Sequence, residues 1–104
     1  MTGLTRGRVY YADIGYGDKP FLVVSNNGRN LRMGHALVVR ITTSDNKPGL
    51  PSIVELGPQD PLVGRVLCDD IFELGAEEVK RDGGAITVQT MMRVSAGLRS
   101  ALAI

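Results

Sequence analysis

Lys19, the hydroxyl row Thr42-Thr43-Ser44, Arg65, Asp69 and Asp70 combine residue types and positions that suit chemistry on a phosphate. Lys19 precedes Pro20 and the apolar run Phe21-Leu22-Val23-Val24. Proline has no N–H and fits the first residue of a strand and little else in a sheet. Lys19 therefore reads as a cation held at a strand mouth, just after the flexible loop Gly15-Tyr16-Gly17-Asp18. A second apolar strand, one element later, ends in the three hydroxyls. A cation and a hydroxyl cluster at strand ends are what a phosphate-handling site needs. Strand-end Ser and Thr also commonly satisfy nearby backbone groups, so the order of these features along the chain is what makes them specific.

The elements that must position them follow from patterning. Arg8 to Asp13 is rich in β-formers and predicts a first strand. Residues 20–25 and 36–42 are near-continuous apolar runs, the signature of strands covered on both faces. Asn26 to Asn30 is turn chemistry, and 45–49 is a loop. Ser52 to Leu56 is a short strand, 57–64 is irregular, and strand character resumes over 65–69, continuing through a bend at Asp69-Asp70 to Leu74. The tail changes period: Thr87 caps a helix over 88–103, with Met91, Val94, Leu98, Ala101 and Leu102 along one face and the two methionines, Met91 and Met92, as core fillers. Short strands followed by one terminal helix predict a mainly β fold, a small, strongly bent barrel with a helix packed against it. The 104 residues make one domain, 1–104.

Composition removes several function classes. Twelve basic against eleven acidic residues leave a formal charge of +1, so any polyanion site is a local patch. The single cysteine, Cys68, reads as a small buried hydrophobe and fits a reducing compartment. With one Cys and one His no structural zinc site is expected, and His35 reads as a loop or strand-edge residue. No run approaches the ~20 apolar residues of a membrane span and no signal-peptide core is present, so a soluble, cytoplasmic protein is expected. There is no glycine-rich phosphate loop followed by lysine, no GxGxxG and no nucleophile elbow, and no cofactor or metal is expected.

The motifs taken in order resemble the MazF/PemK family of toxin–antitoxin endoribonucleases. Arg6-Gly7-Arg8-Val9-Tyr10-Tyr11 is similar to that family's opening strand. Lys19-Pro20-Phe21-Leu22-Val23-Val24 is similar to its basic-Pro-apolar strand, and Thr42-Thr43 to its hydroxyl strand end. Gly64-Arg65-Val66-Leu67-Cys68-Asp69 is similar to a later segment, and the likeness runs on to the terminal helix. The resemblance implies SH3-like barrels paired as a homodimer, cleaving single-stranded RNA and restrained by a cognate antitoxin protein. It implies metal-independent attack of the ribose 2′-oxygen on phosphorus. The related CcdB group carries the same barrel as a gyrase-binding poison, so a non-catalytic interaction module is the alternative reading.

By that resemblance Lys19, Thr42 and Asp69 are the catalytic candidates. Tyr16, Thr43, Ser44, Arg65 and Asp70 are the substrate-binding candidates, with Tyr16 able to stack on a base. The chain departs from the pattern in three places. Lys19 stands where the family usually has arginine, and a lysine is a point charge without the guanidinium fork. Leu67 stands where members with an acidic base carry an arginine, which leaves Arg65, two residues earlier on the same strand face, as a substitute. The first loop lacks the histidine and glutamate some members place there.

Overall fold

Strand β1 (Arg8–Asp13) alternates its side chains between two apolar layers, Val9 and Tyr11 to one and Tyr10 and Ala12 to the other. The same alternation runs through β2 (Asp18–Val23), where Leu22 enters the first layer and Phe21 and Val23 the second. In β3 (His35–Thr42), Val39 and Ile41 join the first layer and Ala36 and Val38 the second. The apolar runs seen in the sequence are thus continuous because both faces are covered. Each fully buried Leu, Val or Phe of this kind contributes about 1.5–3 kcal/mol relative to exposure. The computed structural model describes residues 3–44 and 49–104. The predicted loop at 45–49 lies, Gly49 apart, outside the described residues.

With β4 (Ile53–Glu55), β5 (Arg65–Gly75) and β6 (Val79–Ala85), these strands form one antiparallel sheet ordered β4-β5-β3-β2-β1-β6. The terminal strands β4 and β6 do not pair with each other, so the expected small, strongly bent barrel is a barrel-like sheet left open between them. Strand β6 and the 3₁₀ turn before it (Ala76–Glu78) had no counterpart in the sequence reading. Their Val79-Lys80-Arg81-Asp82-Gly83-Gly84 sequence shows little apolar alternation, because β6 is an edge strand with mostly exposed side chains.

Pairing of β3 with β5 steps from Val39↔Ile71 to Arg40↔Leu67, leaving Cys68, Asp69 and Asp70 as an inserted segment. Such bulges bend a strand and re-aim its side chains. This is the bend predicted at Asp69-Asp70, and it sends Cys68 into the first layer while Asp69 stays exposed.

Residues 26–30, expected as a turn, instead open a helix, α1 (Asn27–Met33), with Asn26 as its N-cap and Gly34 (φ 76) closing it. Tertiary contacts override weak local propensity here: buried Asn30 donates to the Leu4 and Ser25 carbonyls at 3.1 Å and accepts from the Ser25 hydroxyl. Ser25 in turn accepts from the Leu37 amide at 2.8 Å, so the predicted strand 20–25 ends at Val23 and hands over to this polar network.

Helix α2 (Val88–Leu102) starts at the expected cap, Thr87, whose hydroxyl accepts from the Thr90 amide. Asp60 clamps that end, accepting from the Thr87 amide (2.7 Å), the Thr90 hydroxyl (2.6 Å) and the Gly57 amide (2.6 Å). Partial burial raises the Asp60 pKa, but these hydrogen bonds outweigh it and hold the carboxyl below its ordinary value. Val94 is buried and Met91 and Leu98 pack on the first layer, whereas Met92 is 68% exposed and Leu102 half-exposed. Met92 is rotated ~100° from Met91 about the helix, which takes it off the apolar stripe. Gly97 lets the helix approach the bulge: a Cβ there would sit 2.8 Å from Cys68 Sγ.

Two stability predictions follow from this core. Asn30→Ala leaves the Ser25 hydroxyl and two buried carbonyls without their partner, a loss of about 2 kcal/mol. The expected drop in Tm is roughly 10 °C for a chain of this size, read by calorimetry. The Cys68 thiol is pushed up from 9.0 to about 11, chiefly by burial and then by the Asp69 charge. A thiol raised in the folded state keeps its contribution below the unfolded value and loses it as pH climbs from about 9 through about 11. Stability should therefore fall across that window in the native chain and not in Cys68→Ala, and an aromatic disulfide reagent should label Cys68 at pH 8 only after denaturant is added.

Candidate active site

The β2–β3 ladder runs Val23↔Val38, Leu22↔Val39, Phe21↔Arg40 and stops there. The next residue of β2 is Pro20, which has no N–H to extend a ladder. It is the third residue of its strand and not the first as expected, because pairing with β1 continues to Asp18 while pairing with β3 does not. Lys19 and Thr42 lie two residues beyond the last pair on their strands, on the face that Phe21 and Arg40 share. Where the ladder stops a cleft of ≈ 260 Å³ opens, and Lys19, Arg40, Thr42 and Thr43 are among the residues lining it.

A second pocket of ≈ 270 Å³ adjoins it, lined by Tyr16, Lys19, Phe21, Arg40, Asp70 and Phe72. Lys19 and Arg40 border both, so they form the shared wall. Phe21 and Phe72 meet edge to face, ring centroids 5.9 Å apart, and supply the apolar side of this pocket. Tyr16 stands at its rim, 71% exposed. The loop carrying it is folded by Asp13, whose Oδ1 accepts from the Gly15 amide (2.9 Å) and the Gly17 amide (3.1 Å). Those two amides hold the Asp13 carboxyl below its ordinary value.

Thr42 Oγ1 accepts from the Ser44 amide at 3.1 Å. A hydroxyl has two lone pairs and one proton, so this contact leaves the proton available to a group in the cleft. The backbone of Thr42 is pressed by the start of β5. Gly64 has φ +145, and a Cβ on it would lie 2.7 Å from the Thr42 carbonyl oxygen. Arg65 pairs with Thr42 in register, donates to the Ser44 carbonyl (3.3 Å) and forms an ion pair with Glu55 (3.6 Å). It braces the strand end that carries the hydroxyls.

Of the sequence candidates, then, Lys19, Thr42 and Thr43 meet in one cleft, and Tyr16, Lys19 and Asp70 in the other. Ser44 and Arg65 adjoin Thr42 without lining either, and Asp69 is exposed on the bulge. His35 lies at the far end of β3, beside Arg29 (3.2 Å) and Glu73 (3.7 Å). Arg40 was read only as part of a strand. Its signal was present: it is the one charge within an apolar run, two residues before Thr42 and so on the same face. No group of His, Cys, Asp or Glu able to hold a metal is present among the described residues.

The model of the PemK-like, MazF-like toxins of type II toxin–antitoxin systems matches residues 5–102. Two curated proteins, Endoribonuclease MazF1 of Mycobacterium bovis and Endoribonuclease MazF4 of Mycobacterium tuberculosis, are each 41% identical over 104 residues, 100% of this chain and 97% of theirs. The solved structure of a mycobacterial endoribonuclease in complex with its cognate antitoxin superposes with a TM-score of 0.92 at 42% identity, covering 97% of this chain and 96% of that one. A MazE–MazF complex from Deinococcus radiodurans, at TM-score 0.82 and 21% identity, shares the fold. A match across nearly the whole length, with the cation, the proline and the threonine standing in one cleft, makes this chain a member of the PemK/MazF family of type II toxins.

Proposed function

We propose that this chain is an endoribonuclease toxin that cleaves single-stranded RNA at the cleft between the ends of β2 and β3. The observation that supports this most directly is that Lys19 and Thr42 line one cleft, where the β2–β3 ladder stops. In the proposed reaction the ribose 2′-oxygen attacks the adjacent phosphorus and the bond from phosphorus to the 5′-oxygen breaks. The products are a 2′,3′-cyclic phosphate and a 5′-hydroxyl. Negative charge builds on the non-bridging oxygens at the phosphorane stage, and preorganised donors aimed at that charge commonly supply the largest rate term. The Lys19 ammonium is the charge stabiliser, and the Thr42 hydroxyl donates to a non-bridging oxygen. Thr43, Ser44, Arg65 and Asp70 border the path of the strand, and Tyr16 offers a face on which a base stacks.

Asp69, exposed on the bulge outside both pockets, is the proposed base for the 2′-hydroxyl. A cyclic product forms without an external water, so no metal is needed to generate a nucleophile, and cleavage should proceed in EDTA. The names of the curated relatives favour this reading over a non-catalytic protein-binding module.

The active unit in this proposal is a homodimer in the cytoplasm, held in check by a cognate antitoxin. Leu31, Met33, Val63, Val88 and Met92 are each more than half exposed, which leaves apolar surface for pairing to cover. The solved relative bound to its antitoxin supports the partner. No helix among the described residues is long and apolar enough to cross a membrane.

Incubating the protein with a long single-stranded RNA in EDTA and sequencing the new 5′ ends tests the reaction. Thr42→Val should abolish cleavage with Tm nearly unchanged, and a folded Thr42→Val protein that still cleaves normally removes Thr42 from the site. Lys19→Ala should lose ~10²–10³ in rate. Lys19→Arg should keep or raise it, since guanidinium suits phosphate, whereas a proton-donating Lys19 would make arginine nearly as inactive as alanine. Asp69→Asn should lose at least ~10² in rate, and an unchanged rate assigns the base elsewhere. Light scattering at micromolar concentration should give twice the 11.2 kDa chain mass, and a monomer there refutes the dimer.

A further inference from the structure

We infer that Arg40 is a second cation on the transferring phosphate and that Asp70 is the residue that positions it. This rests on the phosphate-transfer reading above and adds to it a residue and a division of labour.

Arg40 stands on the same face of β3 as Thr42 and, by the β2–β3 register, diagonal to Lys19. It is the residue besides Lys19 that lines both pockets. Its Nε is buried and has no hydrogen-bond partner among the described residues. Asp70 Oδ2 lies 3.4 Å from that Nε, close enough for an ion pair but without hydrogen-bond geometry, and both side chains are about two-fifths exposed. A half-exposed pair of this kind stabilises a fold little. A buried polar atom left without a partner calls for another explanation.

The fold takes trouble to make this contact. Asp70 reaches Arg40 only because the Cys68-Asp69-Asp70 insertion breaks the β3–β5 register there. The second pocket sets Arg40 among Phe21 and Phe72, which offer it no acceptor, with Asp70 and Tyr16 as its polar lining. Arg40 also lines the first cleft, where an anion would give its Nη groups their acceptor. A guanidinium gives two parallel N–H donors to a phosphate, which the Lys19 ammonium cannot. Lys19 therefore supplies charge and Arg40 supplies direction. Asp70, on the Nε side, fixes the plane of the fork without taking both of its edges.

Single-turnover cleavage of one long RNA in EDTA tests this with wild type, Arg40→Gln, Arg40→Ala, Arg40→Lys, Asp70→Asn and the Arg40→Gln/Asp70→Asn double variant. A fully 2′-O-methylated copy of the same RNA, which lacks the nucleophile, reads binding separately. Arg40→Gln is expected to lose ~10²–10³ in rate while binding of the methylated RNA weakens far less. Millimolar guanidinium should restore part of the rate to Arg40→Ala, which a purely structural role does not allow. Asp70→Asn should slow cleavage in wild type and add nothing on top of Arg40→Gln, the non-additivity of residues that act as one unit.

Wild-type rates in a folded Arg40→Gln protein, or strictly additive effects of the two positions, would overturn the inference. If Arg40→Gln loses cooperative melting, Arg40→Lys carries the same test, keeping the charge and lacking the fork. Cleavage by wild type, with Thr42→Val inactive and Arg40→Gln fully active, removes Arg40 alone. No cleavage by wild type removes the phosphate-transfer reading, and this inference with it.

Discussion

The end of the β2–β3 ladder at Phe21↔Arg40 is the constraint on which the site depends. Up to that point the two strands are neighbours in a continuous sheet, with apolar side chains on both faces. Beyond it Pro20 cannot donate, the strands part, and polar side chains take the places that Val23 and Val38 occupy further in on the same face. The cleft is therefore the sheet's own interruption, and its walls are as rigid as the strands that make them. Catalytic groups held on strand ends need less ordering at the transition state than groups on long loops.

Everything around that interruption braces it. The bulge at Cys68-Asp69-Asp70 brings Asp70 to Arg40 on one side and buries Cys68 under Gly97 of α2 on the other. Gly64 lets β5 begin against the Thr42 backbone, and Arg65 ties the Ser44 carbonyl to Glu55 on β4. The rim is held differently: Asp13 gathers two loop amides to fold the segment that carries Tyr16. A rigid floor with a loop-borne aromatic at its edge suits a ligand whose backbone is fixed and whose bases are variable.

Helix α2 and the Asp60 clamp explain how so small a chain supports an open sheet. The helix covers the layer that an open edge would expose, and its N-terminus is held by the Thr87 hydroxyl on the Thr90 amide and by Asp60 on the Thr87 amide. Strand β6 protects the other end of the sheet, with Arg8 and Asp82 paired at 3.0 Å and the Arg81 guanidinium stacked 3.9 Å over Tyr11. Both contacts are largely solvated, so they order the edge more than they stabilise the fold.

Local chemistry in the sequence determined the strands β1 to β3, the Thr87 cap and the helix it starts, because burial on both faces writes an uninterrupted apolar run and a cap needs a particular side chain. It also determined Lys19 and Thr42 as candidates, since a charge beside a proline and a hydroxyl row at a strand end are visible one residue at a time. Tertiary structure decided the rest. Asn30 became helical because its amide is needed by Leu4 and Ser25, which no local propensity records. The β6 edge strand escaped notice because solvated edges need no apolar alternation. Arg40 looked like a stray charge in a strand until register placed it between two pockets, with Asp70 delivered by a bulge some thirty residues on. Register and bulge are relations between distant segments, so they are settled by how the sheet packs and not by any single stretch of chain.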